Sequence, residues 1–362
     1  MSNRYRIIPI FVPHRGCPHD CVFCNQKKIT GLTTDVTSDE VDKIVTEYLK
    51  TIPEGVNNIE VAFYGGSFTG IELKTQKELL ETVFKYKEKG LIHRIRLSTR
   101  PDYIDIERLE LLKKLGVDII ELGVQSLDET VLERSFRGHT PEDVINAVKL
   151  IKEYSFKLGL QMMIGLPGDT REKSLNTGKK IIELKPDFVR IYPTLVVKDT
   201  YLERMYLNGT YTPLSLEEAV SICTELLMLF NYNNIMVIRI GLQPSENIAL
   251  DKDVITGPFH PSIRQLVESN FYKIILDNFI KNRQFKNDII IFRANNKEIA
   301  NIVGQKSSNI KYLKSKFGFK KVKVLRENIP SGYFYVEYDN LKLKIDKMYY
   351  IEKYLKERKI IN

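Results

Sequence analysis

From residue 58 to about residue 198, short β-branched runs alternate with longer, charged segments that have apolar residues at helical spacing. NIEVAFY and FVRIY are typical of buried strands, and KTQKELLETVFKYKEK is typical of an amphipathic helix. Before them, RIIPIFVP predicts a first strand, and Thr37 with Glu40 predicts a capping box at a helix start. This alternation predicts a parallel α/β fold with right-handed crossovers, either an open doubly wound sheet or a full or partial barrel.

Glycine-rich and polar segments follow the predicted strands. GGSF follows NIEVAFY, STRPD follows HRIRL, GVQSLD follows DIIEL, GLPGD follows LQMMI, and YPTLV follows VRI. In parallel α/β folds the carboxyl ends of the strands form the edge where ligands bind. The sequence therefore predicts a ligand site at this edge.

Three of the four cysteines lie within eight residues, in HRGCPHDCVFCNQ: Cys17, Cys21 and Cys24. Disulfide frameworks use even numbers of cysteines, and a structural zinc site uses four ligands. Two kinds of site remain open. One is a zinc site completed by His14, His19 or water, and the other is an iron–sulfur cubane with one iron that has no protein ligand. Cys223 lies in a helical pattern, which predicts a buried thiol.

The positive charge is concentrated at the end of the chain. Over 362 residues the net charge is +9, yet residues 281–362 alone carry 20 Lys and Arg against 8 Asp and Glu. A polyanionic partner is therefore expected there. The first residues do not form a signal peptide, no apolar run is long enough to span a membrane, and a reducing cytoplasm is the expected location.

The motifs resemble those of a known family. CPHDCVFC is similar to the C-x3-C-x2-C motif of the radical S-adenosylmethionine superfamily, including the aromatic Phe23, and GGSF matches its glycine motif. STRPD, GVQSLD, RGHT and MMIGLPGDT resemble segments of the Elongator catalytic subunit and of the oxygen-independent coproporphyrinogen oxidases. VRIYPTLVVKDTYLERMYLNGTY and VIRIGLQP are closer to the Elongator subunit. The resemblance covers roughly residues 5–270.

The resemblance implies an α/β fold, a partial (β/α)6 barrel of the TIM type. It also implies one 4Fe–4S cluster on the three cysteines, with S-adenosylmethionine (SAM) as the missing ligand. One electron from the cluster would cleave SAM to methionine and a 5′-deoxyadenosyl radical, which abstracts hydrogen from a substrate. An electron donor such as flavodoxin or ferredoxin is implied. The Elongator subunit carries an acetyltransferase domain after its barrel, and we expect none in this chain.

The resemblance also assigns residues to the cofactor and to the substrate. Phe23 is expected to stack on adenine or to wedge the loop, and Arg100 either contacts the cofactor or pairs with Asp102. The glycine motif would contact the methionine end of SAM or form a plain tight turn. Gln125 would contact the cofactor or form a structural hydrogen bond. Tyr192 and Lys198 are expected near the substrate, with a plain surface lysine as the alternative for Lys198. The cofactor set is Phe23, Gly65, Gly66, Ser67, Thr99, Arg100, Gln125 and Gln161.

The tail segment IVGQKSSNIKYLKSKFG resembles the centre of a KH domain, an α+β module in which a G-x-x-G turn between two helices clamps single-stranded nucleic acid. The turn residues are Gly304, Gln305, Lys306 and Ser307, with serine in place of the second glycine. The predicted division is a barrel over 1–243, a helical connector over 244–285 and a basic KH-like RNA-binding domain over 286–362. The alternative is a basic interaction domain that packs on the barrel.

Three functions follow as hypotheses. The first is a radical SAM enzyme, a transferase by resemblance, that modifies RNA, specifically a tRNA base such as the wobble uridine. The second is a radical SAM enzyme acting on a small molecule or a porphyrin-type substrate. The third is a non-catalytic iron–sulfur or zinc protein that binds RNA.

Overall fold

The computed structural model describes residues 5–12, 21–25, 36–53, 55–242, 249–250, 252–281, 283–285 and 288–362. The chain divides into two compact units, Met1–Leu214 with Leu242–Phe259, and Ser215–Gly241 with His260–Asn362. These units do not follow the predicted boundaries at residues 243 and 285, because two long helices before residue 285 group with the terminal segment. The boundaries of functional domains stay a prediction.

Strands and helices alternate through the first unit. The elements up to residue 207 are β1 (Tyr5–Val12), α1 (Ser38–Thr51), β2 (Asn58–Gly65), α2 (Leu73–Glu88), β3 (Arg94–Thr99), α3 (Ile106–Lys114), β4 (Ile119–Gln125), α4 (Glu129–Arg134), α5 (Pro141–Glu153), β5 (Lys157–Ile164), α6 (Arg171–Glu183), β6 (Phe188–Pro193), β7 (Val196–Val197) and α7 (Tyr201–Leu207).

The later elements include the four-stranded sheet of the second unit. They are α8 (Leu216–Tyr232), β8 (Met236–Ile240), β9 (Val254–Thr256), α9 (Ile263–Ile280), β10 (Ile289–Ala294), α10 (Asn296–Val303), α11 (Ser308–Phe317), β11 (Lys321–Arg326), β12 (Tyr333–Tyr338), β13 (Leu341–Asp346) and α12 (Lys347–Glu357). Among the helices described, none is long and apolar enough to cross a membrane.

The strands β1 to β6 form a parallel sheet in chain order. Ile8 pairs with Val61, Val61 with Ile95, and Ile120 with Leu158, so the strands are in close register. The sheet curls into a partial barrel. The predicted parallel α/β fold with its barrel is confirmed.

The two faces of this sheet differ in residue type. Alternate positions such as Ile8, Val61, Leu97 and Leu160 are completely buried, which is expected for the face that packs against helices. The intervening positions on β2, β3, β4 and β6 include charged side chains that contact one another and therefore lie on the inner face: Glu60, Arg96, Glu121 and Arg190. The inner face is thus charged inside a core that is otherwise apolar.

The predicted capping box at the start of α1 is present. The Thr37 side chain accepts a hydrogen bond from Glu40 N at 3.3 Å, and Glu40 Oε2 accepts one from Thr37 N at 2.9 Å. The reciprocal bonds satisfy two backbone N–H groups that a helix start otherwise leaves without partners.

The second unit contains a four-stranded sheet in the order β11-β10-β12-β13. Strand β10 pairs with β11 in parallel and with β12 antiparallel. Phe292 and Phe334 are completely buried on one face of this sheet, with ring centroids 6.4 Å apart. Cys223 in α8 is completely buried, as the sequence predicts, and burial raises the pKa of its thiol.

Candidate active site

Cys21 and Cys24 lie in a turn that is closed by a backbone hydrogen bond from Cys24 N to Cys21 O at 2.9 Å. Cys21 is buried and Cys24 is partly exposed. The third predicted ligand, Cys17, lies outside the described residues, as do His14 and His19 of the zinc alternative. Among the residues that the structure describes, no group of three or more His, Cys, Asp or Glu side chains could hold a metal ion. The complete ligand set therefore stays a prediction.

The cysteine turn is attached to the barrel on two sides. Val22 N donates to Ser135 O at 3.1 Å, and Val22 O accepts from Leu202 N at 2.7 Å. The Val22 side chain belongs to a buried apolar cluster, and Phe23 packs against that cluster. This is the wedge role that the sequence left open for Phe23, and stacking on adenine stays a prediction.

Two arginines surround the Cys21 sulfur. Arg137 Nη1 lies 3.4 Å from Cys21 Sγ, and Arg100 Nη1 lies 4.0 Å from the same atom. Arg137 is fixed by a hydrogen bond from Nη2 to Gly123 O at 2.6 Å, and Arg100 Nη2 donates to Arg137 O at 2.7 Å. Two guanidinium groups therefore lie beside the sulfur atom that is expected to bind the cluster.

Arg137 is the arginine of the RGHT segment, and the sequence pattern assigns it no role. An arginine before Gly-His gives no local signal of a contact with a cysteine 116 residues earlier. The neighbouring His139 is buried, and burial together with Arg137 and Arg100 lowers the pKa of its imidazole to about 3. His139 is therefore neutral at physiological pH and adds no further positive charge.

The predicted glycine motif forms the rim after β2. Gly65 has a φ of +103°, and a Cβ at this position would lie 2.6 Å from Val12 O, so only glycine fits. Gly66 N donates to Val12 O at 2.9 Å. Ser67 and Thr99 are both buried, and their hydroxyl oxygens are 2.8 Å apart. The two hydroxyls thus join the ends of β2 and β3, and their contact with a cofactor stays a prediction.

Arg100 forms the internal ion pair that the sequence left open. Its Nε and Nη2 donate to the two carboxylate oxygens of Asp102, each at 2.9 Å. The backbone N of Arg100 donates to Ser67 Oγ at 3.1 Å. A bidentate pair fixes the plane of a guanidinium group, which here aims Nη1 at Cys21.

The two predicted glutamines lie on neighbouring strands, β4 and β5. Gln161 Nε2 donates to Glu121 Oε2 at 2.8 Å, and Gln125 has a left-handed backbone with a φ of 62°. A Cβ on Gly123 would lie 2.9 Å from Gln125 Nε2 and 2.8 Å from Arg137 Nη2. Gly123 therefore leaves space for both of these side chains at the rim.

A buried network of ion pairs lies on the inner face, closer to the amino ends of the strands. Arg96 Nη1 lies 2.6 Å from Glu121 Oε1, and Arg96 Nε lies 2.5 Å from Glu60 Oε1. Arg190 Nε lies 2.7 Å from Glu121 Oε2, and Arg190 Nη2 donates to the hydroxyl of Tyr64 at 3.4 Å. Both carboxylates are completely buried. The network fills this part of the barrel with paired charges.

Burial alone would raise the pKa of Glu121, but the guanidinium groups of Arg190 and Arg96 more than offset this and hold the pKa below its usual value. Sequence reasoning missed the network. The available signal was a charged residue at the third position of several apolar strands, which occurs at Glu60, Arg96, Glu121 and Arg190. A charge inside a buried strand needs a partner, and here the partners are on neighbouring strands.

Comparison with known proteins identifies the family. The family model described as the Radical SAM superfamily matches residues 11–180, and the model described as the Radical_SAM C-terminal domain matches residues 186–273. An uncharacterized protein of Methanocaldococcus jannaschii is 31% identical over 222 residues, which are 59% of this chain and 68% of that protein. The chain belongs to the radical SAM superfamily. Members of this superfamily use a 4Fe–4S cluster and SAM.

A second relative has a named activity. The tRNA uridine(34) acetyltransferase of M. jannaschii is 30% identical over 256 residues, which are 60% of this chain and 47% of that protein. This chain thus spans about half the length of that relative. The solved structure of the archaeal Methanocaldococcus infernus Elp3 with an N-terminal deletion has a TM-score of 0.57 and 23% identity, covering 74% of this chain and 63% of the other. That likeness supports the radical SAM fold.

The observed geometry fits the cofactors of the radical SAM superfamily. Cys21 and Cys24 are thiolate donors of the kind that hold iron–sulfur clusters, with Cys17 as the expected third ligand. N–H groups near cluster sulfurs tune the reduction potential of such clusters, and Arg137 and Arg100 place N–H groups near the sulfur of Cys21. The glycine rim at Gly65 leaves the backbone open to close approach.

The two predicted substrate residues differ in their surroundings. Tyr192 is partly exposed and lies two positions after Arg190 on β6, on the same inner face of the sheet. Lys198 is exposed, and its backbone carbonyl accepts a hydrogen bond from Asn25 Nδ2 at 3.2 Å. Lys198 thus lies beside the cysteine turn with its side chain at the surface, and a role for either residue in substrate binding stays a prediction.

The predicted G-x-x-G-like turn connects α10 and α11. Gly304 has a φ of 78°, and a Cβ there would clash with Ser308 Oγ and lie 2.9 Å from Asn309 N. Lys306 and Ser307 are exposed and have left-handed backbones, with φ values of 51° and 61°. Serine thus takes a conformation that glycine favours, so the turn keeps the positive φ expected of the second glycine. Gln305 Nε2 lies 3.5 Å from His260 Nε2.

The second face of the four-stranded sheet carries aromatic and basic side chains together. Tyr333 and Tyr335 lie on one face of β12, with ring centroids 5.9 Å apart. Lys344 Nζ lies 3.9 Å from the ring centroid of Tyr333, and Lys342 Nζ lies 4.7 Å from that of Tyr335. Because Lys342 Nζ also pairs with Glu327 Oε1 at 3.1 Å, attraction of anions to this face depends on Lys344 beside Tyr333.

Proposed function

We propose that this chain is a radical SAM enzyme that modifies tRNA, with the wobble uridine as its target base. The observation that carries the chemistry is the position of Cys21, whose sulfur lies at the rim of the curled sheet between Arg137 and Arg100. The named activity of the M. jannaschii relative supports the choice of tRNA.

When bound, the cluster on Cys17, Cys21 and Cys24 and SAM supply the 5′-deoxyadenosyl radical that abstracts hydrogen from the substrate. The chain's own residues orient SAM and the substrate and enclose them. Arg100 is held rigidly by Asp102, and Gly65 permits close approach at the rim. A one-electron donor such as flavodoxin or ferredoxin is the proposed second partner.

The ion network determines from which end a substrate enters. Glu60 and Glu121 are completely buried, and Arg96 and Arg190 are nearly so, which fills the inner face at the amino-terminal halves of the strands. Toward the carboxyl ends, several inner-face side chains are partly exposed, among them Tyr64, Gln161 and Tyr192. A substrate therefore enters at the rim, where Cys21 lies.

The second unit supports an RNA substrate through its charge. Residues 281–362 carry 20 Lys and Arg against 8 Asp and Glu, and part of this charge lies over the aromatic face of β12. The turn Gly304–Ser307 presents Lys306 beside the start of α11, where free N–H groups favour phosphate. Both features belong to one small unit.

The decisive experiment compares tRNA nucleosides from wild-type and deletion strains by mass spectrometry. The expected result is the loss of one modified uridine on deletion, restored by the wild-type gene and not by Cys24→Ala. In vitro, the anaerobically reconstituted enzyme with dithionite and SAM is expected to form 5′-deoxyadenosine, at a higher rate with tRNA.

Two results would contradict the proposal. An unchanged nucleoside profile together with 5′-deoxyadenosine formation that tRNA does not affect would assign the radical chemistry to another substrate. The absence of 5′-deoxyadenosine in enzyme with a full iron content would remove the radical function itself.

The turn of the second unit allows a separate test of RNA binding. The double variant Gln305→Asp and Lys306→Asp changes exposed or half-exposed turn positions. It is expected to weaken tRNA binding several-fold and to flatten its salt dependence, because contacts to phosphate release counterions. Equal affinity and equal salt dependence in this variant and the wild type would exclude the turn from the RNA-binding surface.

A further inference from the structure

A cavity of about 720 Å³ lies in the first unit. Its walls are the loop Gly165–Asp169 after β5, the segment after α4, and α7 with the residues that follow it. Ser135 and Leu202, which lie next to wall residues, are the residues that hydrogen-bond to Val22 between the two cysteines. A ligand in this cavity would therefore lie against the elements that hold the cluster turn.

Two exposed aromatic rings form part of the cavity wall. Phe136 is 50% exposed and Tyr201 is 47% exposed, and their ring centroids are 5.2 Å apart at 45°. Phe136 has a φ of 52°, a left-handed backbone that is unfavourable for a bulky residue. Strained residues are concentrated at functional sites, where the surrounding structure maintains them. Here the residue with the left-handed backbone presents a large apolar ring to solvent at the cavity.

The charged side chains of the cavity leave it basic. Arg134 and Arg204 are both exposed in its wall. Asp169, the acidic residue of the wall, is engaged by its own loop, since its carboxylate accepts from Gly165 N at 2.8 Å, Thr170 N at 2.9 Å and Ser174 Oγ at 2.7 Å. The two guanidinium groups thus face solvent beside the aromatic pair.

The second glycine of the GLPGD loop, Gly168, makes room for one of these arginines. Gly168 has a φ of +79°, and a Cβ there would lie 2.8 Å from Arg134 Cδ. A side chain at residue 168 would therefore displace Arg134 from the wall.

We propose that this cavity binds one unpaired nucleotide of the RNA substrate. The base stacks on the Phe136–Tyr201 pair, and the phosphate is bound by Arg134 and Arg204. This assignment rests on the proposed function and adds the site that holds a nucleotide next to the modified one.

Three physical considerations favour this ligand. The volume lies within the range of about 300–1,000 Å³ that is typical of small-ligand pockets. Aromatic faces stack with any base, and the planar guanidinium group matches the geometry of phosphate. The acidic face of an electron-donor protein would also suit arginines, but a concave site with rings in its wall fits a single flat group better than a protein surface.

The experiment measures binding of unmodified tRNA to the full-length reconstituted chain at two salt concentrations. Phe136→Ala combined with Tyr201→Ala is expected to weaken binding by roughly 5- to 100-fold, the usual loss for one stacked base, with an unchanged salt slope. Arg134→Ala combined with Arg204→Ala is expected to weaken binding and to reduce the salt slope by about one for each phosphate that the variant no longer binds.

The chain offers matched controls on other helices. Tyr48 in α1 is 42% exposed, and Lys114 in α3 is exposed, so Tyr48→Ala and Lys114→Ala remove a similar ring and a similar charge. Both controls are expected to bind tRNA like the wild type. Iron content is measured for every variant, and the aromatic variants are expected to retain it.

Each contrary outcome has its own meaning. If the wild type does not bind tRNA, both the proposed function and this assignment fail. If the wild type binds and the cavity variants bind equally well, this assignment alone fails. Equal tRNA binding with slower reduction of the cluster by reduced flavodoxin would overturn it in favour of a docking site for the electron donor. Loss of iron in the aromatic variants would also overturn it, because the rings would then only support the cysteine turn.

Discussion

The buried carboxylate of Glu121 is the centre of the ion network, and its replacement gives the sharpest test of that network. Glu121 is completely buried and receives hydrogen bonds from Arg96 Nη1 at 2.6 Å, from Gln161 Nε2 at 2.8 Å and from Arg190 Nη2 at 3.0 Å. Glu121→Gln keeps the shape of the side chain and removes the charge. Arg96 retains Glu60, whereas Arg190 loses the carboxylate that it contacts.

The expected cost follows from leaving a buried guanidinium group without its carboxylate. Breaking a buried ion pair by removal of one partner costs about 3–5 kcal/mol. Because the amide oxygen of glutamine still accepts a hydrogen bond, we expect the lower end, about 3 kcal/mol. For a domain of this size each kcal/mol lowers Tm by about 2–4 °C, so the expected loss is about 6–12 °C.

The assay is thermal unfolding of Glu121→Gln and of three comparison proteins, one of which is the single variant Arg190→Met. Glu81→Gln removes a carboxylate from an exposed pair with Lys77, at 3.7 Å, and is expected to lower Tm by less than about 2 °C. The double variant Glu121→Gln and Arg190→Met removes both partners and is expected to recover part of the loss. The interpretation is refuted if Glu121→Gln and Glu81→Gln have equal effects, or if the double variant equals the sum of its single variants.

The same residue predicts a dependence on pH. The pKa of Glu121 is held below its usual value of 4.5, so its ionised form is favoured in the folded protein. Its contribution to the free energy of unfolding is therefore present above about pH 4.5 and is lost as the pH falls through the lower, folded-state pKa. Between about pH 6 and about pH 3.5, Tm of the wild type is expected to fall more steeply than Tm of Glu121→Gln.

Two further predictions concern the cysteines and the turn of the second unit. Cys24→Ala is expected to lose the cluster, whereas Cys223→Ala, at a completely buried thiol in α8, is expected to keep the iron content of the wild type; full iron in the first variant or iron loss in the second would contradict the assignment. Gly304→Ala is expected to destabilise the protein by about 2 kcal/mol or more, because its Cβ would clash with Ser308 Oγ at a positive φ. Ser307→Gly, at a φ of 61°, is expected to leave stability unchanged or to raise it by up to about 1 kcal/mol. Chemical denaturation measures the free energy of unfolding of both variants. A change of the same sign in Gly304→Ala and Ser307→Gly would mean that the turn has another geometry.

Much of the candidate site follows from local sequence. The cysteine spacing, the glycine at residue 65 and the order of the motifs predict the family, which the comparisons confirm. Gly65 is predictable because the requirement is local: a positive φ at this position excludes residues other than glycine. Ser67 and Thr99 are expected to bind a cofactor, and the structure adds that their hydroxyls bond to each other, because two strand ends meet there.

The elements of this fold are encoded in short stretches of the chain. The capping box of Thr37 and Glu40 uses groups three residues apart, and the alternation of apolar and polar positions in a strand reflects a period of two. Such signals are local, so they can be recognised without knowledge of the folded chain. The strands, the helices and their order were therefore predictable.

Which side chains meet depends instead on the folded chain as a whole. Arg137 contacts Cys21 across 116 residues, and Arg190 meets Glu121 across 69 residues. These contacts depend on the register and curl of the sheet, which bring distant positions to one face or one rim. Charge and residue type show that Glu121 and Arg190 need partners, but many pairings satisfy that need equally well. Packing of the strands selects one of them, and for that reason the sulfur environment and the ion network are properties of the folded chain.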